Sequence, residues 1–345
     1  MSWLPISVLI PTYNRAALVV RAVRSALAEC GERDEVIVVD DGSTDGTEEA
    51  LAPLRGRIAY VRVPKGGAGR ARNRGVREAR NPLVAFLDSD DEWMPGKLAL
   101  QRSLMQARPD VLFCFSDFAV RDRRGREDHN YLARWHRDAR TWDEILGSGV
   151  PFSAIAPLPN GQPEFLVHVG ALYLSLMKAP YVFTSTLVVR REAAGEHLWF
   201  AEDLPTYEDW ECFGRLAGAG PAAYLACETA WQYGHAGPRL TDAGTLETTT
   251  ARIAMLMRVW GRDEAFLAKY RESFESTLME ERLKRVRELI SSGRTRDARE
   301  ELRFTYGGPL TYRILSSVPG PMVRGILAIR RMCFSRLGGV PGGSS

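Results

Sequence analysis

Two acidic clusters in this chain each follow directly on an apolar run. Asp88-Ser89-Asp90 sets two carboxylates two residues apart, with Asp91 beside them, just after Leu83–Leu87. In a turn such a pair can aim at one point. Hard oxygen ligands suit Mg2+ or Mn2+, ions that are commonly shared between one or two carboxylates and substrate phosphates. A capped helix start ahead of Lys97 explains the same residues, since Asp is favoured there anyway. Asp40-Asp41 closes Val36–Val39 and precedes Gly42-Ser43-Thr44. A carboxylate there disfavours phosphate but can accept a hydrogen bond from a base imide or a ribose hydroxyl. Capping by Ser43 or Thr44 accounts for the turn residues, but not for two acids ahead of them.

The segment Lys65–Gly75 is a glycine-rich turn opening a very basic helix. Amides at a helix start attract anions, and Arg70 or Arg72 could clamp a diphosphate; a solvated basic face is the plainer reading. No Gly-Lys-Ser/Thr follows at the spacing of a P-loop. Glu208-Asp209-Trp210-Glu211 opens another helix, where acids complement the helix dipole; a general base beside an aromatic ring would use the same residues. His235, one of five histidines, lies in a Gly-flanked loop; a lone histidine is more often structural than a ligand, and the loop raises the ligand reading only modestly.

These residues need elements to position them. Ile6–Ile10, Val36–Val39, Ile58–Val63 and Leu83–Leu87 are predicted strands, separated by helices over Leu18–Leu27, Thr44–Leu54 and Gly69–Ala79. Unbroken apolar strands alternating with helices predict an α/β fold, with a mainly parallel sheet covered on both faces. Ligands bind such sheets at the carboxyl ends of the strands, where every cluster named so far from the first 91 residues lies. Val111–Val120 is a further strand. The charged stretch 121–140 and the Pro-rich 150–180 read as an excursion off the sheet. Thr184–Val189 is expected to resume strand, and Glu208–Leu216 to be helical. Beyond about residue 245, Phe266, Tyr270, Phe274 and Leu278 recur every four residues, a helix that Gly293 should break before a successor at Arg299–Phe304.

A net charge of +3 on 345 residues gives no reason to expect a nucleic-acid partner. Five scattered cysteines without a CxxC pair suit free thiols in a reducing compartment. The apolar run at the N-terminus is too short for a signal peptide, and none reaches ~18 residues, so a cytoplasmic protein is expected. Met322–Leu337 mixes large apolar residues with Arg324, Arg330, Arg331 and Arg336. It either packs on the preceding helices or lies peripherally on the inner face of a membrane.

In order, VLIPTYNR (8–15), EVIVVDDGSTDGT (35–47), GRARNRG (69–75), VAFLDSDDEWMPGKL (84–98) and YEDW (207–210) resemble family 2 of the inverting glycosyltransferases with the GT-A fold. The resemblance implies a GT-A domain over 1–240, with a nucleotide-binding half at about 1–120 and an acceptor-side half at about 121–240. A helical extension over 241–337 and a disordered 338–345 would follow. It implies that Thr12, Tyr13 and Arg15 lie against base and ribose, that Asp41 reads the base with Asp40 beside it, and that Arg72 approaches the diphosphate. Asp90 would bind Mn2+ or Mg2+ directly, Asp88 would sit between metal and ribose, Asp209 would be the catalytic base, and His235 would be a late metal-facing residue. The implied reaction is transfer, with inversion, from a UDP- or GDP-sugar to a hydroxyl of a glycan, lipid-linked or other acceptor. No Gln-x-x-Arg-Trp segment follows Asp209, which favours single addition over processive synthesis. A catalytically inactive nucleotide-sugar or glycan-binding module, or a sugar nucleotidyltransferase, would share parts of the pattern.

Overall fold

The structure is a computed structural model that describes residues 4–159, 161–234, 244–305 and 309–323. It forms two compact units, Met1–Pro238 and Arg239–Ser345. In the first, a sheet is built from β1 (Ile6–Thr12), β2 (Glu35–Asp40), β3 (Ala59–Arg62), β4 (Leu83–Phe86), β5 (Glu92–Trp93), β6 (Phe113–Arg121), β7 (Glu127–Asp128), β8 (Val150–Pro151), β9 (Leu166–Gly170), β10 (Val188–Arg190) and β11 (Ala222–Tyr233). Nine strands run in the order β3-β2-β1-β4-β10-β6-β11-β9-β8, with β5 paired to β11 and β7 to β6.

The first four strands are parallel, as the apolar runs predict. Ile6, Val8, Leu9 and Ile10 are buried because helices cover both faces. The helix Ala16–Glu29 turns Val19, Ala22, Val23, Ala26 and Leu27 inward. The helix Ala68–Glu78 lies so close to β1 that a Cβ on Gly75 would come within 3.2 Å of the Leu9 side chain.

The other half of the sheet is mixed. β10 runs antiparallel to both β4 and β6, while β6 and β11 are parallel. Three expectations are corrected here. Thr184–Thr186 is a 3-10 turn, and the strand starts only at Val188, because the turn's side chains point to polar partners rather than to a sheet neighbour. The Pro-rich middle is no excursion throughout, since Leu166–Gly170 joins the sheet against β11. The helix expected from Thr44 starts at Thr47, after Gly46 takes the left-handed φ of +81°.

In the second unit, Val286, Leu289, Ile290, Ala298 and Val323 form a small core. The helix Glu264–Ser291 departs from helical geometry at Tyr270, and Gly293, at φ +78°, separates it from Thr295–Leu302. Arg282 and Arg285 both donate to Glu301, at 2.8 and 2.6 Å, fastening these two helices together. Among the described residues no helix is long and apolar enough to cross a membrane.

Candidate active site

The loops that follow β1, β2 and β4 meet at the carboxyl end of the sheet. After β1 the chain turns through Asn14, whose φ of +51° suits its short polar side chain. Asn14 donates its amide to Ser43 Oγ at 2.9 Å and accepts from the Thr44 amide at 2.8 Å. Ser43 and Thr44 therefore knit two loops together instead of capping a helix. Thr12 is buried and its Oγ1 makes no hydrogen bond among the described residues. Tyr13 is 36% exposed at the rim, with the Lys65 ammonium 4.2 Å from its ring centre and 3.0 Å from its hydroxyl.

Asp40 and Asp41 have different partners. Asp40 is fully buried; its Oδ1 accepts from the Ser43 amide and closes the turn, while its Oδ2 accepts from the Tyr60 hydroxyl on β3. Asp41 accepts from the Gly66 and Gly67 amides at 2.7 and 2.8 Å. Burial pushes its carboxyl above the ordinary range against the pull of those amides. The glycine-rich turn, whose amides could attract an anion, thus gives two of them to the protein's own carboxylate.

Arg72 lies at the centre. Its buried guanidinium donates to Asp88 Oδ1 at 2.8 Å and to Glu208 Oε1 at 2.6 Å. The helix bearing it comes this near to the Glu208 segment because residue 69 is glycine. A Cβ there would stand 2.7 Å from the Ala201 carbonyl oxygen. Asn73 completes the clasp, donating to Phe200 O at 2.8 Å and Glu202 Oε1 at 2.9 Å and accepting from the Phe200 amide.

Burial raises the Asp88 carboxyl, Arg72 pulls it back, and the nearby Asp90 raises it further. Glu208 is pushed up to about 7 by burial and by the charge of Asp209, against the pull of Arg72. Asp90 lies 3.9 Å from Arg15 Nη2. Asp91 holds the turn, its amide bonded to Asp88 O at 3.0 Å and its carboxylate accepting from Ser185 Oγ at 2.6 Å. Asp209 accepts from Thr184 Oγ1 through Oδ2 at 3.1 Å and from the Trp210 amide through Oδ1 at 2.7 Å. Tyr207, just ahead of it, has a φ of +66°, unusual for a bulky side chain.

Arg72, Asp88 and Asp209 are thus drawn to one place, with Arg15 and Asp90 beside them. Thr12, Tyr13, Asp40 and Asp41 line the adjoining loops, while His235 lies outside the described residues, as do 324–337 and Cys333. Glu208, Asn73, Thr184 and Ser185 were not singled out from sequence for a place in the site. The Glu-Asp pair offered a signal for Glu208, whereas nothing local marked the other three. Of the aromatics in the middle of the chain, Trp142 stacks on Tyr224 at 3.7 Å, and Trp135 meets Phe118 and Phe183 edge to face, so packing accounts for both.

With parallel strands, acidic turns at their ends and a helical region after the sheet, the fold is the GT-A fold of glycosyltransferases. A crystal structure of S. aureus TarS 1–349 in complex with UDP-GlcNAc aligns over 90% of this chain and 84% of that chain, with a TM-score of 0.56 at 16% identity. Residues 7–156 match the sequence model of glycosyl transferase family 2. Similar proteins include the putative teichuronic acid biosynthesis glycosyltransferase TuaG of Bacillus subtilis, 37% identical over 34% of this chain and 49% of TuaG. Another is the Escherichia coli enzyme WfaP, a UDP-Glc:alpha-D-GlcNAc-diphosphoundecaprenol beta-1,3-glucosyltransferase, 34% identical over 33% of this chain and 46% of WfaP. An uncharacterized glycosyltransferase of Rickettsia conorii is 38% identical over 29% of this chain and 17% of its own length. The chain thus spans less than half the length of each of these three relatives.

Proposed function

We propose that the protein transfers a sugar, with inversion and one residue at a time, from a UDP- or GDP-sugar to a hydroxyl of a glycan or lipid-linked acceptor in polysaccharide biosynthesis. Residues 1–120 would hold the donor and 121–240 face the acceptor. The observation that carries this reading is Arg72, which ties the Asp88–Asp91 turn to the start of the helix bearing Asp209. Teichuronic acid biosynthesis for TuaG and transfer to a diphosphoundecaprenol-linked sugar by WfaP support the same direction.

In this reading Thr12, Tyr13, Arg15, Asp40 and Asp41 surround the base and ribose. Tyr13 offers its ring, and the backbone around Asp40 and Asp41 is stiffened by the bonds both carboxylates already make. Asp209 takes the proton from the acceptor hydroxyl as that oxygen attacks the anomeric carbon. Arg72 faces the charge that develops on the leaving nucleoside diphosphate. Two turn carboxylates fit a hard divalent ion whose remaining ligands come from substrate phosphates, so Asp88 and Asp90 would hold Mn2+ or Mg2+. When bound, such an ion supplies Lewis-acid stabilisation of phosphate oxygens.

Incubation with UDP-glucose, UDP-GlcNAc and GDP-mannose plus Mn2+ tests the proposal. Release of nucleoside diphosphate supports it. Pyrophosphate release would indicate nucleotidyl transfer instead, and binding without release an inactive module.

A peripheral membrane contact belongs to the same reading. Phe304, Leu310, Ile314 and Met322 are all more than half exposed in the second unit. Beyond Glu301 the sequence contains six arginines and no acidic residue. Exposed apolar side chains followed by such a basic composition suit anionic lipid. Co-sedimentation with phosphatidylglycerol vesicles should fall several-fold in the Leu310→Ser/Ile314→Ser variant; equal binding by variant and parent would end the idea.

A further inference from the structure

One short turn between the two halves of the site has no role in the reading above. Thr184, Ser185 and Thr186 form the 3-10 turn that enters β10, and all three are buried. The Thr184 hydroxyl donates to Asp209 Oδ2 at 3.1 Å. The Ser185 hydroxyl donates to Asp91 Oδ2 at 2.6 Å and accepts from the Asp88 amide at 3.1 Å. Adjacent residues therefore hold the metal-side turn on one side and the acid at the helix start on the other.

The turn is itself anchored from behind. Ser185 O accepts from Trp93 Nε1 at 2.7 Å, and Thr186 O accepts from Gln101 Nε2 at 2.7 Å and Lys97 Nζ at 3.4 Å. Buried hydroxyls need partners, and that alone would place Thr and Ser beside some acceptor. It does not explain why consecutive hydroxyls go to the two acidic segments that must be aligned for transfer. A bond from a hydroxyl to a carboxylate fixes the direction in which the carboxylate points. Asp209 Oδ1 is already held by the Trp210 amide, so Thr184 fixes the second oxygen.

We infer that Thr184 and Ser185 are positioning residues. Thr184 orients Asp209 toward the acceptor oxygen, and Ser185 sets the Asp88–Asp91 turn against the donor, so that the two substrates are aligned through one rigid turn. The inference rests on the functional reading above.

The test compares Thr184→Val, Thr184→Ser and Ser185→Ala. For whichever of the three donors the parent turns over, Thr184→Val should lose roughly tenfold or more in kcat while its donor KM stays within about twofold. Thr184→Ser should recover most of the rate. Ser185→Ala should instead raise donor KM and weaken UDP binding in the presence of Mn2+ by about fivefold, measured by calorimetry. Parent-like kcat in Thr184→Val, or equal losses in Val and Ser, would overturn the role of Thr184. Unchanged UDP binding and donor KM in Ser185→Ala would overturn that of Ser185. If the parent neither binds UDP nor turns over any donor, it is the functional reading that fails. The Thr184–Asp209 link is then judged by melting points of Thr184→Val, Asp209→Asn and the double variant. Shifts that do not add support the link, and strict additivity removes it.

Discussion

Arg72 and Glu208 are 136 residues apart in the chain, yet Arg72 Nη1 stands 2.6 Å from Glu208 Oε1 with both side chains buried. The same guanidinium reaches Asp88 at 2.8 Å. One cation thus compensates a buried acid, Glu208, and a partly exposed one, Asp88, and Asp209 adds further negative charge nearby.

Removing that cation leaves uncompensated charge in a dry place. Arg72→Met should destabilise the fold by about 3–5 kcal/mol, the range for breaking a buried ion pair from one side. Arg72→Lys keeps a charge but lacks the planar fork that reaches both acids, and should fall between. Urea denaturation of the three proteins checks the order.

Gly69 is expected to be intolerant for a steric reason. In Gly69→Ala the new methyl would meet the Ala201 carbonyl oxygen at 2.7 Å, which forces the helix bearing Arg72 away from its partner segment. A loss of about 1–3 kcal/mol is expected, as for overpacked sites. Gly56→Ala, where a Cβ meets nothing within 4 Å, is the control and should melt near the parent.

Lys97 gives a pH dependence with a definite sign. Its ammonium is fully buried 4.7 Å from the Trp93 ring centre, and burial lowers its pKa to about 7. Unfolding restores an ordinary lysine near 10.4, so between these values the unfolded chain binds more protons than the folded one. Stability from this group is therefore full above the unfolded value and lost as pH falls toward 7. The difference in unfolding free energy between parent and Lys97→Met should grow in the parent's favour from pH 7 to 10, by up to about 1.4 kcal/mol per unit. A constant difference across that range would refute the assignment.

Two carboxylates should separate cleanly in function. Asp209→Asn should abolish transfer while leaving donor binding nearly intact, since it removes the proposed base alone. Asp90→Ala should remove the Mn2+ dependence of donor binding. Donor titrations with and without Mn2+, alongside nucleoside diphosphate release, read both.

How much of this was legible in the sequence depends on the distance over which each feature is set. β1, β2 and β4 were visible because strands buried on both faces are apolar throughout, whereas β3 is an edge strand with Ala59 and Arg62 exposed; the acidic turns were visible because they interrupt the apolar runs. The role of Asp91 in holding its turn could be read from neighbouring residues. By contrast, β9 and β11 were missed. β11 carries Cys227, Glu228 and Thr229 in its middle, and its pairing with β6 shifts register on both sides of Glu228, so no simple alternation marks it. The capping box at Thr141 and Glu144 had a local signature and was overlooked. That Asp41 would take the Gly66 and Gly67 amides depends on where β2 ends relative to the helix at Ala68, and such a meeting has no local signal.

The place of β10 has a consequence for how the chain is made. That strand lies between β4 and β6 although residues 113–121 leave the ribosome long before 188–190. A nascent chain up to about residue 180 would present β4 with one edge unpaired, and Arg72 without Glu208. Such edges invite wrong partners while they wait. The protein should therefore acquire its central sheet late, and a released chain truncated at residue 156 should remain protease-sensitive where one ending at 238 does not.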